Sequence, residues 1–167
     1  MRNSSSWRCS SESVRAGGRD RLGDSDVRAD LVEIYDLRRL LEQRAARRAL
    51  PHIDADAIER IEQAAKACAD AAEIADVAGE LAANRRFHLA ILEPCGLPHL
   101  MRIIRNLWDS TEAYRAIYYN LPEERTASLE SHDEILAALR EQDVDRLIHS
   151  LNAHRDRALE ILKKLLA

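Results

Sequence analysis

Beyond residue 27, apolar side chains recur every three or four residues almost to the end of the chain, the period of a helix that buries one face. Val77, Leu81, Asn84, His88 and Ile91 keep that spacing, as do Leu129, His132, Leu136 and Leu139. So do Leu147, Leu151, His154, Ala158, Ile161 and Leu165. Runs of β-branched and aromatic residues are missing, so strands are not expected. Local punctuation sets six helices. The first runs from about Arg28 to Leu50 and stops at Pro51; the second starts at Asp54, a suitable N-cap, and reaches about Glu73. The third spans about Asp76 to Glu93 and is ended by Pro94 and Gly96. Pro98 opens a fourth that reaches about Asn120, and Pro122 a fifth that reaches about Glu141. Asp143 caps the sixth, which continues almost to the C-terminus. Connections this short predict an all-α antiparallel bundle of six or seven helices, and no solenoid-like repeat is visible.

Four positions break the apolar pattern. Asn84, His88, His132 and His154 point inward from three helices, and a bundle interior holds such groups only where something satisfies them. Asn84 and His88, four residues apart, project side by side. A single histidine on an apolar stripe is more often a hydrogen-bonded core residue than a ligand. Three of them on three helices favour one shared metal ion. His52, His99 and His149 fall near helix ends or off the stripes. Arg38 (on Leu31, Ile34, Arg38, Leu41, Ala45) and Arg115 (on Ile104, Trp108, Thr111, Arg115, Tyr118) also point inward. Either is a snorkelling side chain with its head in water, or a guanidinium aimed at an anion beside the metal. Tyr114, Tyr118 and Tyr119 either line that cavity or simply fill the core.

Composition narrows the choice of function. With 46% hydrophobic and 32% charged residues the chain suits a single soluble domain. Its net charge of −4 gives no reason to expect a nucleic-acid-binding surface. No apolar run is long enough for a membrane span, and no signal peptide opens the chain. Cys9, Cys68 and Cys95, odd in number and without CxxC spacing, read as reduced thiols of a cytoplasmic protein. Residues 1–27, rich in Ser, Arg and Gly, read as a disordered or atypical segment ahead of a helical domain over 28–167. GxSxG, P-loop, GxGxxG and HExxH motifs are absent.

The motifs together resemble the FCD domain, the ligand-sensing C-terminal domain of FadR-subfamily GntR transcriptional regulators. Tyr35, Arg38 and Glu42 in IYDLRRLLEQRAARRAL are similar to the family's Tyr-x-x-Arg-x-x-x-Glu opening helix, and NRRFHLAIL (Asn84 to Leu92) to its Asp-x-x-Phe-His segment. LWDSTEAYR, ESHDEILAALREQD and His154 complete the likeness. It implies a helical bundle around a divalent metal held by an acid and three histidines, with a small organic acid as effector. Carried over by position, the ligands are Asn84, His88, His132 and His154. The metal is open among zinc, nickel, manganese and iron, with zinc or nickel favoured. Arg38, Arg115 and Tyr118, which point inward on their stripes, are the candidate effector-binding residues, and the resemblance implies a homodimer.

Two departures qualify it. Asn84 stands where the family has Asp, and a neutral amide oxygen is the poorer ligand. It either ligates weakly or turns to effector or water, which leaves a His₃ set. Residues 1–27 are too short for the family's winged helix, so this chain by itself is not expected to bind operator DNA. The leading expectation is a metabolite-sensing domain of a regulator. Two alternatives remain: a His₃ metal-dependent hydrolase, which would need a general base close by, where Glu130 and Asp133 flank His132 without lying on its stripe, or a metal-free structural and dimerisation bundle.

Overall fold

The computed structural model describes residues 24–166. Among them are seven α-helices and no strand: α1 (Asp24–Ala49), α2 (Ala55–Glu73), α3 (Val77–Leu92), α4 (Pro98–Ser110), α5 (Glu112–Tyr119), α6 (Pro122–Arg140) and α7 (Val144–Leu165). None is long and apolar enough to cross a membrane. The expected N-caps are made. Asp54 accepts from the Ala57 amide, and Asp143 from those of Asp145 and Arg146. After Pro94 the chain reverses at Gly96, whose φ of 68° suits a residue without Cβ.

Two boundaries differ from expectation. α1 starts at Asp24, so residues 24–27 belong to a helix; the rest of the segment expected to be disordered lies outside the described residues. The single helix expected over Pro98 to Asn120 is two, broken at Thr111. The Thr111 hydroxyl, fully buried, donates back to the carbonyls of Leu107 and Trp108, and its amide bonds Trp108 rather than the carbonyl four residues back. The break leaves the stripe Ile104, Trp108, Thr111, Arg115, Tyr118 buried throughout, because α5 resumes on nearly the same face.

α1 packs against α3, α4 and α7, while α2 pairs with α3 and α6 with α7. The larger core gathers Ile61, Phe87, Ile91, Ile104, Trp108, Leu139 and Leu147. A smaller one holds Leu31, Tyr35, Tyr118, Tyr119 and Leu162. The polar groups of the site lie between the two. On α7 the buried face is Leu147, Ile148, Leu151, Arg155 and Leu162, with His154 half-buried at its edge. That face is turned by about one residue from the expected stripe, and Leu165 faces solvent. Cys68 and Cys95 are free and buried.

Candidate metal centre

Three helices bring the histidines together. His88 of α3 and His154 of α7 face each other with Nε2 atoms 3.2 Å apart. His132 of α6 sets its Nε2 3.1 Å from Oδ1 of Asn84 on α3. One ligand atom from each of His88, His132 and His154 lies within 4.8 Å of the others. Phe87 and Trp108 wall the group, at ring separations of 4.2 Å to His132 and 5.3 Å to His88.

Burial decides the charge of these rings. It pushes His132 down to about 4. It also holds His88 and His154 well below the ordinary histidine range, and the neighbouring imidazoles add to the effect. At neutral pH all three are uncharged, so each offers a lone pair, which is the form a metal requires. Nitrogens bound to one zinc at about 2.0–2.1 Å stand roughly 3.3 Å apart in a tetrahedron. His88 and His154 already stand near that spacing, while the trio as a whole is more open. The donor set therefore fits a borderline divalent cation, with Asn84 oxygen at its edge. His132 Nδ1, buried without a partner, is where a metal-binding histidine usually donates to a neighbour or water.

Beside the trio lies a cavity of about 30 Å³, room for about two waters. Its wall carries Tyr35, Arg38, Glu42, Trp108, Arg115 and Arg155 together with Asn84, His88 and His154. Glu42 anchors this wall. It accepts from Arg38 Nε at 2.9 Å, from Trp108 Nε1 at 2.9 Å and from Arg155. Burial alone would push the Glu42 carboxyl up, but Arg155 and Arg38 outweigh it and bring it to about 2. Arg38 and Arg115 both stack on Trp108, their guanidinium carbons 4.1 and 4.3 Å from the ring centroid.

The two expected effector arginines are thus unequal. Arg38 is neutralised by Glu42, whereas Arg115 has two buried nitrogens without a hydrogen-bond partner. Burial and the nearby Arg38 lower Arg115 to about 10, so it stays charged at neutral pH. Tyr118 lines the cavity, but its hydroxyl donates to the Glu124 carbonyl, and Tyr119's pairs with Ser128. Tyr114 packs against the smaller core. The free hydroxyl is that of Tyr35. Four of the seven buried side-chain atoms without partners among the described residues are donors of Tyr35, Arg115 and Arg155. Sequence reasoning assigned no role to Tyr35, Glu42, Trp108 or Arg155. Tyr35 and Glu42 stood in the opening motif and Trp108 on a stripe, while Arg155 was hidden by the turn of α7. Glu130 and Asp133, which flank His132 off its stripe, are exposed on α6.

The fold is similar to that of E. coli McbR/YncC, at 24% identity and a TM-score of 0.76 over 86% of this chain and 71% of that one. It is also similar to a GntR-family transcriptional regulator from Pseudomonas syringae pv. tomato str. DC3000, at 23% identity and a TM-score of 0.69 over 84% of this chain. This chain spans 58% of that regulator's length. No curated protein matches it significantly. The model of the FCD domain matches residues 33–157, from the outer turns of α1 to the middle of α7. The chain belongs to the FCD domain family, the effector-binding domains of GntR-type transcriptional regulators.

Proposed function

We propose that this domain senses a small carboxylate through a divalent metal, zinc or nickel by preference, held by His88, His132 and His154 with Asn84 alongside. One observation carries the reading: His88 and His154 of the neutral imidazole trio line one cavity with Asn84, and its wall also carries donors without acceptors. Such a wall calls for an acceptor-rich, anionic guest. When bound, the metal supplies a Lewis-acidic site for a carboxylate oxygen. Arg115 and the Tyr35 hydroxyl supply charge and hydrogen bonds to the rest of the molecule, while Glu42 holds Arg38 and Arg155 in place. Trp108 stacks the two guanidinium groups and keeps them dry.

Space for about two waters is less than any organic acid needs. Such a guest therefore favours an arrangement in which the helices around the cavity stand further apart, and this differential fit is what makes binding a signal. α5, only eight residues long and separated from α4 at Thr111, brings Arg115, Tyr118 and Tyr119 to the cavity. Metal analysis tests the reading. Chelator-stripped protein dialysed against zinc or nickel retains close to one equivalent, and His88→Ala or His132→Ala retains little. Less than a tenth of an equivalent in the unaltered protein would leave a metal-free bundle.

A further inference from the structure

His132 is the member of the trio that faces two ways. His88 and His154 line the cavity beside the arginines. His132 instead lines a surface groove between α2 and α6, together with Ala65, Ala69 and Asp133. On the inner side its Nε2 lies 3.1 Å from Asn84 Oδ1, and its Nδ1 is buried without a hydrogen-bond partner. With 2% of its surface exposed, the ring closes the groove rather than standing free in it.

The groove follows from what α2 sets opposite that ring. Ala65 and Ala69 are four residues apart, so they stack on one face of α2. Both are half-buried, and neither side chain reaches beyond Cβ. A leucine at either position would lay a branched side chain over the approach to the imidazole.

Charge separates the two sides of the trio. The cavity lining carries the guanidinium groups of Arg38, Arg115 and Arg155 against the single carboxylate of Glu42, an excess of two positive charges. The groove lining carries Glu62 and Asp133 against Lys66 and Arg140, which cancel. Arg140 is paired with Glu62 at 2.7 Å and Lys66 with Asp70 at 2.7 Å. Asp133, exposed and adjacent to His132 in sequence, joins no ion pair among the described residues. A divalent cation is therefore repelled on the arginine side and drawn to the groove.

We propose, on the reading that these histidines hold a divalent metal, that the ion enters through the α2–α6 groove, attracted by Asp133 and admitted by the His132 ring. Turning that ring away from Asn84 exchanges one hydrogen bond for an opening. The same ring then closes behind the ion as one of its ligands. A carboxylate seated on the arginine side leaves this route clear, so the metal and the anion have separate ways in.

Stopped-flow mixing of the chelator-stripped full chain with zinc, read by a zinc-responsive dye, gives the loading rate. Excess chelator gives the release rate, and equilibrium titration gives Kd. Ala69→Leu slows loading and release alike, each at least about tenfold, and leaves Kd within about threefold, because a blocked route alters both rates and not their ratio. Asp133→Asn slows loading about threefold at low salt, and the difference fades at high ionic strength. Ala158→Leu, which fills the cavity side, leaves loading within about twofold. Circular dichroism checks that each variant keeps its helices; if Ala69→Leu does not, Ala65→Leu and the salt dependence of Asp133→Asn decide. Loading slowed by Ala158→Leu but not by Ala69→Leu, or a weaker Kd for Ala69→Leu with loading unchanged, would overturn the route and leave the metal reading intact. An unaltered protein that holds no zinc at equilibrium would overturn both.

Discussion

Replacing Glu42 by glutamine should cost more than its isosteric shape suggests. The carboxylate is 2% exposed and, among the described residues, is the only anion ion-paired to Arg38 and Arg155, while Arg38 and Arg115 both stack on Trp108. The amide oxygen can still accept from Trp108, but the NH₂ of glutamine meets a guanidinium donor to donor, and the arginines are left as uncompensated buried charge. The carboxyl's displacement from 4.5 to about 2 corresponds to about 3 kcal/mol. That lies within the roughly 3–5 kcal/mol lost when one member of a buried ion pair is removed. For a domain of this size it lowers Tm by about 6–12 °C. The pH dependence has a definite sign. A carboxyl depressed in the fold contributes stability in full above its unfolded value of 4.5, and loses it as pH falls through its folded value of about 2. Urea unfolding of Glu42→Gln and the unaltered protein between pH 2 and 7 should therefore give curves separated by about 3 kcal/mol near neutrality and converging in acid. A gap under about 1 kcal/mol, or one that stays constant with pH, would refute the role given to Glu42.

Other consequences follow from the same geometry. The metal-free protein should lose stability as pH falls below 6.5, because the unfolded chain takes up protons that His132, held at about 4, and the buried His88 and His154 do not; His132→Leu should reduce that dependence in thermal melts with chelator present, leaving the part due to the other two. Arg115→Met removes an unpaired buried charge, so its melting temperature should be equal or higher, while stabilisation by carboxylates in the metal-loaded protein disappears. A melting temperature that falls by more than about 5 °C would show that Arg115 is structural. Arg125→Ala strips the buried Glu80 of its ion pair and the Ala72 carbonyl of its donor, and chemical denaturation should show a loss of about 3 kcal/mol or more.

The inward direction of Asn84, His88 and His132 was legible because each interrupts an apolar stripe long enough to define a face. His154 was legible too, but Arg155 was not. α7 packs against α1, α5 and α6, so its buried arc is wide, and periodicity alone placed its centre one residue away. The charge that holds Arg155 inside, Glu42, is 113 residues distant, beyond the reach of any local pattern. The break at Thr111 was hidden because threonine differs little from its neighbours in helix propensity; only full burial of its hydroxyl turns it back on the α4 carbonyls. The extra turn of α1 was masked by composition. Asp24 and Asp26 suit a helix N-terminus but follow a Ser, Arg and Gly-rich stretch.

The central claim is that His88, His132 and His154 hold one ion between α3, α6 and α7. A crystal of the zinc-loaded protein, measured on both sides of the zinc absorption edge, tests it most directly. The account predicts one anomalous peak among the three imidazoles, within ligand distance of about 2.0–2.1 Å of each. Zinc found only at surface carboxylates, with the trio still hydrogen-bonded as His88–His154 and His132–Asn84, would contradict it.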